Sequence, residues 1–88
     1  SNSSYWSYEA YQNEIRREDS FSIIAKSNNQ TVGFLVARMI QAENCAELYN
    51  IGVSIYFRRK KIGAKLLKSL VKYCLENSLE KIFLEVRE

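Results

Sequence analysis

Ile51-Gly-Val-Ser-Ile-Tyr-Phe-Arg-Arg-Lys-Lys-Ile-Gly-Ala-Lys-Leu-Leu67 carries a strand-like segment into four consecutive cations and then into a helix. Ile62, Leu66, Leu67, Leu70, Val71 and Cys74 recur at the spacing of one buried helical stripe. The helix is therefore expected to start at Lys60 or Lys61 and to run to about Asn77. Arg58, Arg59, Lys60 and Lys61 then sit where the helix dipole is already positive and backbone N–H groups point outward. Each cation costs at most about 0.3–1 kcal/mol in that position. An anion resting on the helix start resolves the conflict, and phosphate is the natural candidate. Taken alone, a Lys/Arg run of this kind is more often a solvated basic turn.

The charge distribution extends this pattern. Residues 1–57 hold four Lys/Arg against six acids, whereas residues 58–88 hold nine against four, and the whole chain carries +3. Positive potential thus gathers around the helix start, which suits a polyphosphate and, less specifically, nucleic acid. Only Tyr56 and Phe57 precede the basic run, without the interleaved aromatics of a base-stacking platform, and nucleic acid is disfavoured. With 47% hydrophobic and 26% charged residues, the 88-residue chain reads as one globular domain with no membrane span. Its lack of His leaves no His-based triad and argues against zinc. Cys45 and Cys74 show no metal spacing; Cys74 lies on the apolar helix stripe, and both are expected as reduced thiols in a cytoplasmic setting.

Working outward, residues 21–27 and 31–40 have strand composition around Ser27-Asn-Asn-Gln30, and should form an antiparallel hairpin. The second of these strands is apolar on both faces, as a central strand beneath helices would be. Gly33 is read as a bulge or a close packing contact, and Gly52, within the strand 46–54, as another bulge. After the helix, Asn77-Ser78 closes it and residues 81–87 form a last strand, parallel to 46–54 through a right-handed crossover. Trp6 to Arg17 reads as a short helix capped by Ser7, with Glu9 in its first turn, Arg16 and Arg17 in its last, and Tyr8, Tyr11 and Ile15 on one face. The fold class is α+β (α/β), a mixed sheet of antiparallel strands followed by a parallel strand–helix–strand unit.

Phe57-Arg-Arg-Lys-Lys-Ile-Gly-Ala64 resembles the acetyl-coenzyme A signature of the GCN5-related N-acetyltransferases (GNAT), Arg/Gln-x-x-Gly-x-Gly/Ala. Arg58 matches its first position and Gly63 its last. Lys61 stands where the family usually has its first Gly; a lysine fits if that position does not need positive φ, and its charge suits phosphate. Leu48-Tyr-Asn-Ile-Gly-Val53 and Leu84-Glu-Val-Arg87 are similar to strands of the ribosomal-protein-alanine N-acetyltransferases, as is the Trp6-Ser helix start.

The resemblance implies a partial GNAT fold using acetyl-CoA as acetyl donor. The backbone of Ile51, Gly52 and Val53 would meet the pantetheine arm. Arg58, Arg59, Lys60, Lys61, Ile62, Gly63 and Ala64 would hold the pyrophosphate, and Glu85 would be the general base. The acceptor it implies is a primary amine, a protein N-terminal α-amine first among them. The family continues with an Asn, a helix bearing a Tyr acid and two closing strands, so residues 1–88 are expected to be a single partial domain. Tyr49, Tyr56 and Tyr73 have no motif claim on the acid role. A partial sheet would leave Ile82 to Val86 as an open apolar edge prone to self-association. The alternative function is a truncated, non-catalytic module whose basic face binds a nucleotide or a partner chain.

Overall fold

The computed structural model describes residues 7–84, and for Tyr11 and Ile15 the backbone alone. Helix α1 (Tyr8–Ile15) precedes strands β1 (Ser20–Ser27), β2 (Gln30–Ile40) and β3 (Cys45–Val53), then helix α2 (Ile62–Glu76) and strand β4 (Lys81–Leu84). The strands form one sheet in the order β1-β2-β3-β4. The β1–β2 and β2–β3 pairs are antiparallel, while β3–β4 is parallel. The expected hairpin, central strand and crossover are all present. The expected strand beyond Leu84 (residues 85–87) and Trp6 lie outside the described residues.

Local chemistry explains the connections. Asn28 and Asn29 take φ of 51° and 68°, the pair of left-handed residues that a two-residue hairpin turn demands and that asparagine tolerates best after glycine. At the end of α2, Ser78 takes φ of 60°. Leu79 N donates to Cys74 O at 2.9 Å and Ser78 N to Leu75 O at 3.4 Å, which is a Schellman closure with serine in the place of the usual glycine. Leu79, just past the turn, is buried and anchors it. The carbonyl of Asn44 then accepts from Glu80 N at 2.7 Å and Lys81 N at 3.3 Å, bringing β4 into register beside β3.

Leu66, Leu70 and Cys74 of α2 pack on Leu35, Ala37, Ala46 and Leu79. This buried stripe is narrower than the sequence spacing suggests. Leu67 and Val71 are 37% and 46% exposed and Leu75 is 74% exposed. The buried residues of α2 fall on one i, i+4 ridge, with Tyr73 reaching the sheet beside it, whereas Leu67, Val71 and Leu75 form the next ridge on the other side.

On the opposite sheet face lies α1. Ser7 caps it as expected, its Oγ accepting from Ala10 N at 3.1 Å. Glu9 is in the first turn, but the helix stops at Ile15, so Arg16 is the cap and no cation falls in the last turn. Arg17 instead pairs with Asp19 across the following turn, at 2.8 Å. Tyr8 is 78% exposed, so its side of the expected aromatic face is not core.

Both strands that position the site carry a bulge. On β2, Ala25 opposes Gly33 and Lys26 opposes Thr31, leaving Val32 as the extra residue. Gly33 beside it is a close contact as expected: a Cβ would lie 3.2 Å from Gly52 O and 3.2 Å from Ile62 Cγ2. On β3, Val36 opposes Asn50 and Ala37 opposes Leu48, so the extra residue is Tyr49. The bulge expected at Gly52 therefore falls at Tyr49. Gly52 is in register with Phe34, and a Cβ on it would lie 2.6 Å from Phe34 Cε1. Glycine is there to admit the ring, not to break the ladder.

Candidate functional site

Strand β4 pairs with β3 from Cys45↔Lys81 to Leu48↔Leu84, where the described residues end. Further along β3, past the bulge at Tyr49, Ile51 to Val53 have no strand beside them on that side among the described residues. A strand edge presents a row of N–H and C=O groups that an extended ligand can pair with. Ser54 N donates to Val32 O at 2.8 Å, tying the end of β3 to the β2 bulge. Ser54 Oγ then accepts from Tyr56 N at 3.3 Å, turning the chain through Ile55–Phe57 toward the cations.

That open edge and the start of α2 share one cleft of ≈ 990 Å³. Ile51, Gly52, Val53, Arg58, Arg59, Lys61, Ile62 and Gly63 all line it. The structure thus brings together eight of the ten residues expected to bind a cofactor. Lys60 faces a neighbouring groove, and Ala64, exposed on the first turn of α2, lines neither. The expected general base, Glu85, lies outside the described residues. It follows Leu84, whose partner Leu48 immediately precedes the bulge.

The loop has an unusual backbone for its residues. Arg59 and Lys61 have φ of 67° and 63°, where an L-residue is disfavoured by about 1–2 kcal/mol. The condition under which a lysine fits without strain is thus not met: the position takes the left-handed conformation a glycine would take. Lys61 is the N-cap of α2 but contributes no side-chain capping bond. The first helical bond runs from Lys65 N to Lys61 O at 3.0 Å. Among the described residues, the N–H groups of Ile62, Gly63 and Ala64 have no acceptor. Alternating left-handed residues ahead of a helix start form a concavity of N–H donors suited to an anion. Arg58 Nε donates to Val53 O at 3.3 Å, fastening the loop to the strand it leaves.

Gly63 separates packing from function. A Cβ added there would meet only Val53 Cγ2, at 4.0 Å. Protein packing therefore leaves room for a side chain that the sequence withholds, and the withheld volume is inside the cleft. The residues fit a polyphosphate carried on an extended arm: donors and cations at the helix start, and a strand edge leading away from it that is unpaired among the described residues.

A second constellation, on the α1 face, was not singled out from the sequence. Arg38 Nε donates to Glu14 Oε2 at 2.9 Å and its Nη2 to Oε1 at 2.6 Å, a bidentate pair. Arg38 Nη1 also donates to Tyr49 Oη at 2.8 Å, and its Cζ lies 4.2 Å from the Tyr49 ring centre. The Arg38 hydrogen bonds hold the buried Glu14 carboxyl below its ordinary range, while burial pushes the Tyr49 phenol up. These residues line a hollow of ≈ 400 Å³ beside the bulge. The available signal was an arginine inside the apolar run Phe34-Leu-Val-Ala-Arg-Met39, which demanded a buried carboxylate partner. Tyr73 does something else: its ring stacks on Phe21 at 3.8 Å and its hydroxyl meets Met39 Sδ at 3.1 Å. Tyr56 is 86% exposed. Among the described residues no cluster could hold a metal ion, and no helix is long and apolar enough to cross a membrane.

The architecture recurs in solved structures. The ribosomal-protein-S18-alanine N-acetyltransferase from Escherichia coli is 23% identical, with TM-score 0.85 over 93% of this chain and 51% of that one. An aminoglycoside acetyltransferase from an uncultured soil metagenomic sample, in complex with sisomicin, is 21% identical with TM-score 0.80, covering 97% and 59% respectively. An aminoglycoside 6′-N-acetyltransferase complexed with coenzyme A is 22% identical with TM-score 0.75, covering 86% and 42%. The chain thus spans between 42% and 59% of the length of these three proteins. No curated protein sequence matches it. The family model described as the acetyltransferase (GNAT) family matches residues 1–88. With the mixed sheet and the basic helix start beside the end of β3, that match over the whole chain makes it a member of the GNAT acetyltransferase family.

Proposed function

We propose that this chain is the donor-binding part of an N-acetyltransferase that moves acetyl from acetyl-CoA to a primary amine, with a protein N-terminal α-amine as the acceptor. The observation that carries the reading is the shared cleft: the end of β3, Ile51 to Val53, and the helix start bearing Arg58, Arg59 and Lys61 line one cavity. The E. coli neighbour is named for acetylating the alanine of ribosomal protein S18, and another neighbour holds coenzyme A. Those two names support the acceptor and the donor proposed for this chain.

In this reading the edge of Ile51, Gly52 and Val53 pairs with the pantetheine amides, and the N–H groups from Arg59 to Ala64 receive the pyrophosphate. The thioester supplies an activated acyl carbon. Glu85 takes the proton from the incoming ammonium through a water. The freed amine then bonds the acetyl carbon as the carbon–sulfur bond breaks, and the second proton, shed as the nitrogen becomes an amide, goes to the departing thiolate. Positioning and these two proton transfers are sufficient for such a step.

Titration calorimetry with coenzyme A, on wild type and Gly63→Val, tests the site. The valine side chain enters the cleft where only one atom lies nearby, so the fold is kept and binding weakens by about tenfold or more. Arg58→Ala weakens it less, and the loss shrinks as salt rises. Equal binding by wild type and Gly63→Val, or no binding by either in chains shown to be folded, overturns the assignment. Glu85→Gln leaves coenzyme A affinity unchanged and lowers the rate of an active enzyme by about 10²–10⁴.

A further inference from the structure

The four-cation run does not act on one cavity. Arg58, Arg59 and Lys61 line the cleft at the β3 edge, whereas Lys60 lines a separate groove of ≈ 460 Å³ between β1 and α2. The two left-handed residues on either side of Lys60 send the backbone through this alternation. Lys26, at the end of β1, and Lys65, on the first turn of α2, line the same groove, and no acidic residue does. Among the described residues none of these three lysines is in an ion pair. Phe57 and Ile62 line both cavities, so the two adjoin across a single apolar ridge. A ligand that carries one anionic group on the helix start and another a short distance away can straddle this ridge.

We propose that the Lys26, Lys60 and Lys65 groove is a second anion subsite that takes the ribose 3′-phosphate of the donor. This makes the chain select coenzyme A over its 3′-dephospho form. The inference rests on the acetyl-CoA reading of the adjoining cleft and goes beyond it, because it places a third phosphate on a groove apart from that cleft, where Lys60 of the signature loop joins Lys26 and Lys65 from outside it. Three ammonium groups around one groove with no carboxylate in its lining make its potential positive, and a dianionic phosphomonoester is the counter-charge that suits it. The three side chains are exposed, so their neutralisation leaves the core untouched.

Calorimetric titrations of the 88-residue chain with coenzyme A and with 3′-dephospho-coenzyme A test this, in wild type and in the triple variant Lys26→Gln/Lys60→Gln/Lys65→Gln. Circular dichroism confirms that the variant is folded. Wild type is expected to prefer coenzyme A by about tenfold at low salt, with the preference shrinking as salt rises. The triple variant is expected to bind the two ligands with equal affinity, the preference being lost. Equal wild-type affinity for the two ligands overturns the subsite while leaving the cofactor cleft standing. A preference that survives in the triple variant places the 3′-phosphate elsewhere and overturns it too. If wild type binds neither ligand, the acetyl-CoA reading itself fails, and the subsite falls with it.

Discussion

Replacing Lys61 with glycine should stabilise this protein. Lys61 has φ of 63° and caps α2 without a side-chain hydrogen bond. Relief of the left-handed penalty is worth about 1–2 kcal/mol. Glycine's greater freedom in the unfolded chain takes back about 0.5–1 kcal/mol. Removing a cation from the positive end of a helix returns about 0.3–1 kcal/mol. The balance centres on about 1.4 kcal/mol, which for a domain of this size raises the melting temperature by about 6–11 °C. Thermal unfolding followed at 222 nm reads this directly. Lys61→Ala is the control that separates the two causes, since it removes the charge but keeps a Cβ at positive φ. Alanine should recover only the smaller electrostatic part. If the glycine and alanine variants melt together, or glycine melts below wild type, the backbone argument is wrong.

Three further outcomes follow from the packing and the ion pairs. Glu14→Gln should destabilise by about 2 kcal/mol, less than the roughly 3–5 of a fully buried pair, because the Arg38 side chain stays 25% exposed. Because Arg38 lowers the folded pKa of Glu14, the pair's contribution is full above the unfolded value of about 4.3 and is lost as pH falls through the folded value. Chemical denaturation against pH should therefore show a shallower acid limb in the glutamine variant. Gly52→Ala should cost about 1–3 kcal/mol as its methyl pushes on the Phe34 ring, whereas Gly63→Ala, with open space around it, should be neutral or stabilise by up to about 1 kcal/mol. Opposite signs in paired urea melts confirm this, and equal signs refute it. Phe83 and Leu84 are 48% and 57% exposed on β4, which has no further strand beyond it among the described residues. The chain should self-associate through that edge, and sedimentation showing a monomer at all concentrations would contradict this.

What was legible in the sequence was what local chemistry dictates. Asn28-Asn29 named the hairpin, the four-residue steps of Ile62 to Cys74 named α2, and the distance between β3 and β4 named a parallel crossover. The signature loop pointed to the residues of the cleft for the same reason, since helix start and strand end are close in the chain. Hidden features depend on partners far away. The bulge sits at Tyr49 because β3 must pair with β2 on both sides of it, and Tyr49 carries no local mark of that. Gly52 looked like a bulge glycine, but its smallness serves a ring on another strand. Glu14 and Arg38 are 24 residues apart and meet only once α1 folds back over the sheet. Lys61 defied its own propensity because the chain must turn from strand to helix there, and tertiary geometry outweighs about 1–2 kcal/mol of local preference.

The two cysteines make the crossover unit its own stopwatch. Cys45 opens β3 and Cys74 sits in the last turns of α2; both are free and buried, and burial raises the pKa of each thiol. A reagent that attacks thiolates must therefore wait for the sheet or the helix to open. The ratio of each labelling rate to that of an exposed thiol is the fraction of time its element spends open. Mass spectrometry of the two alkylated peptides would thus time two ends of one supersecondary unit separately, without any introduced probe.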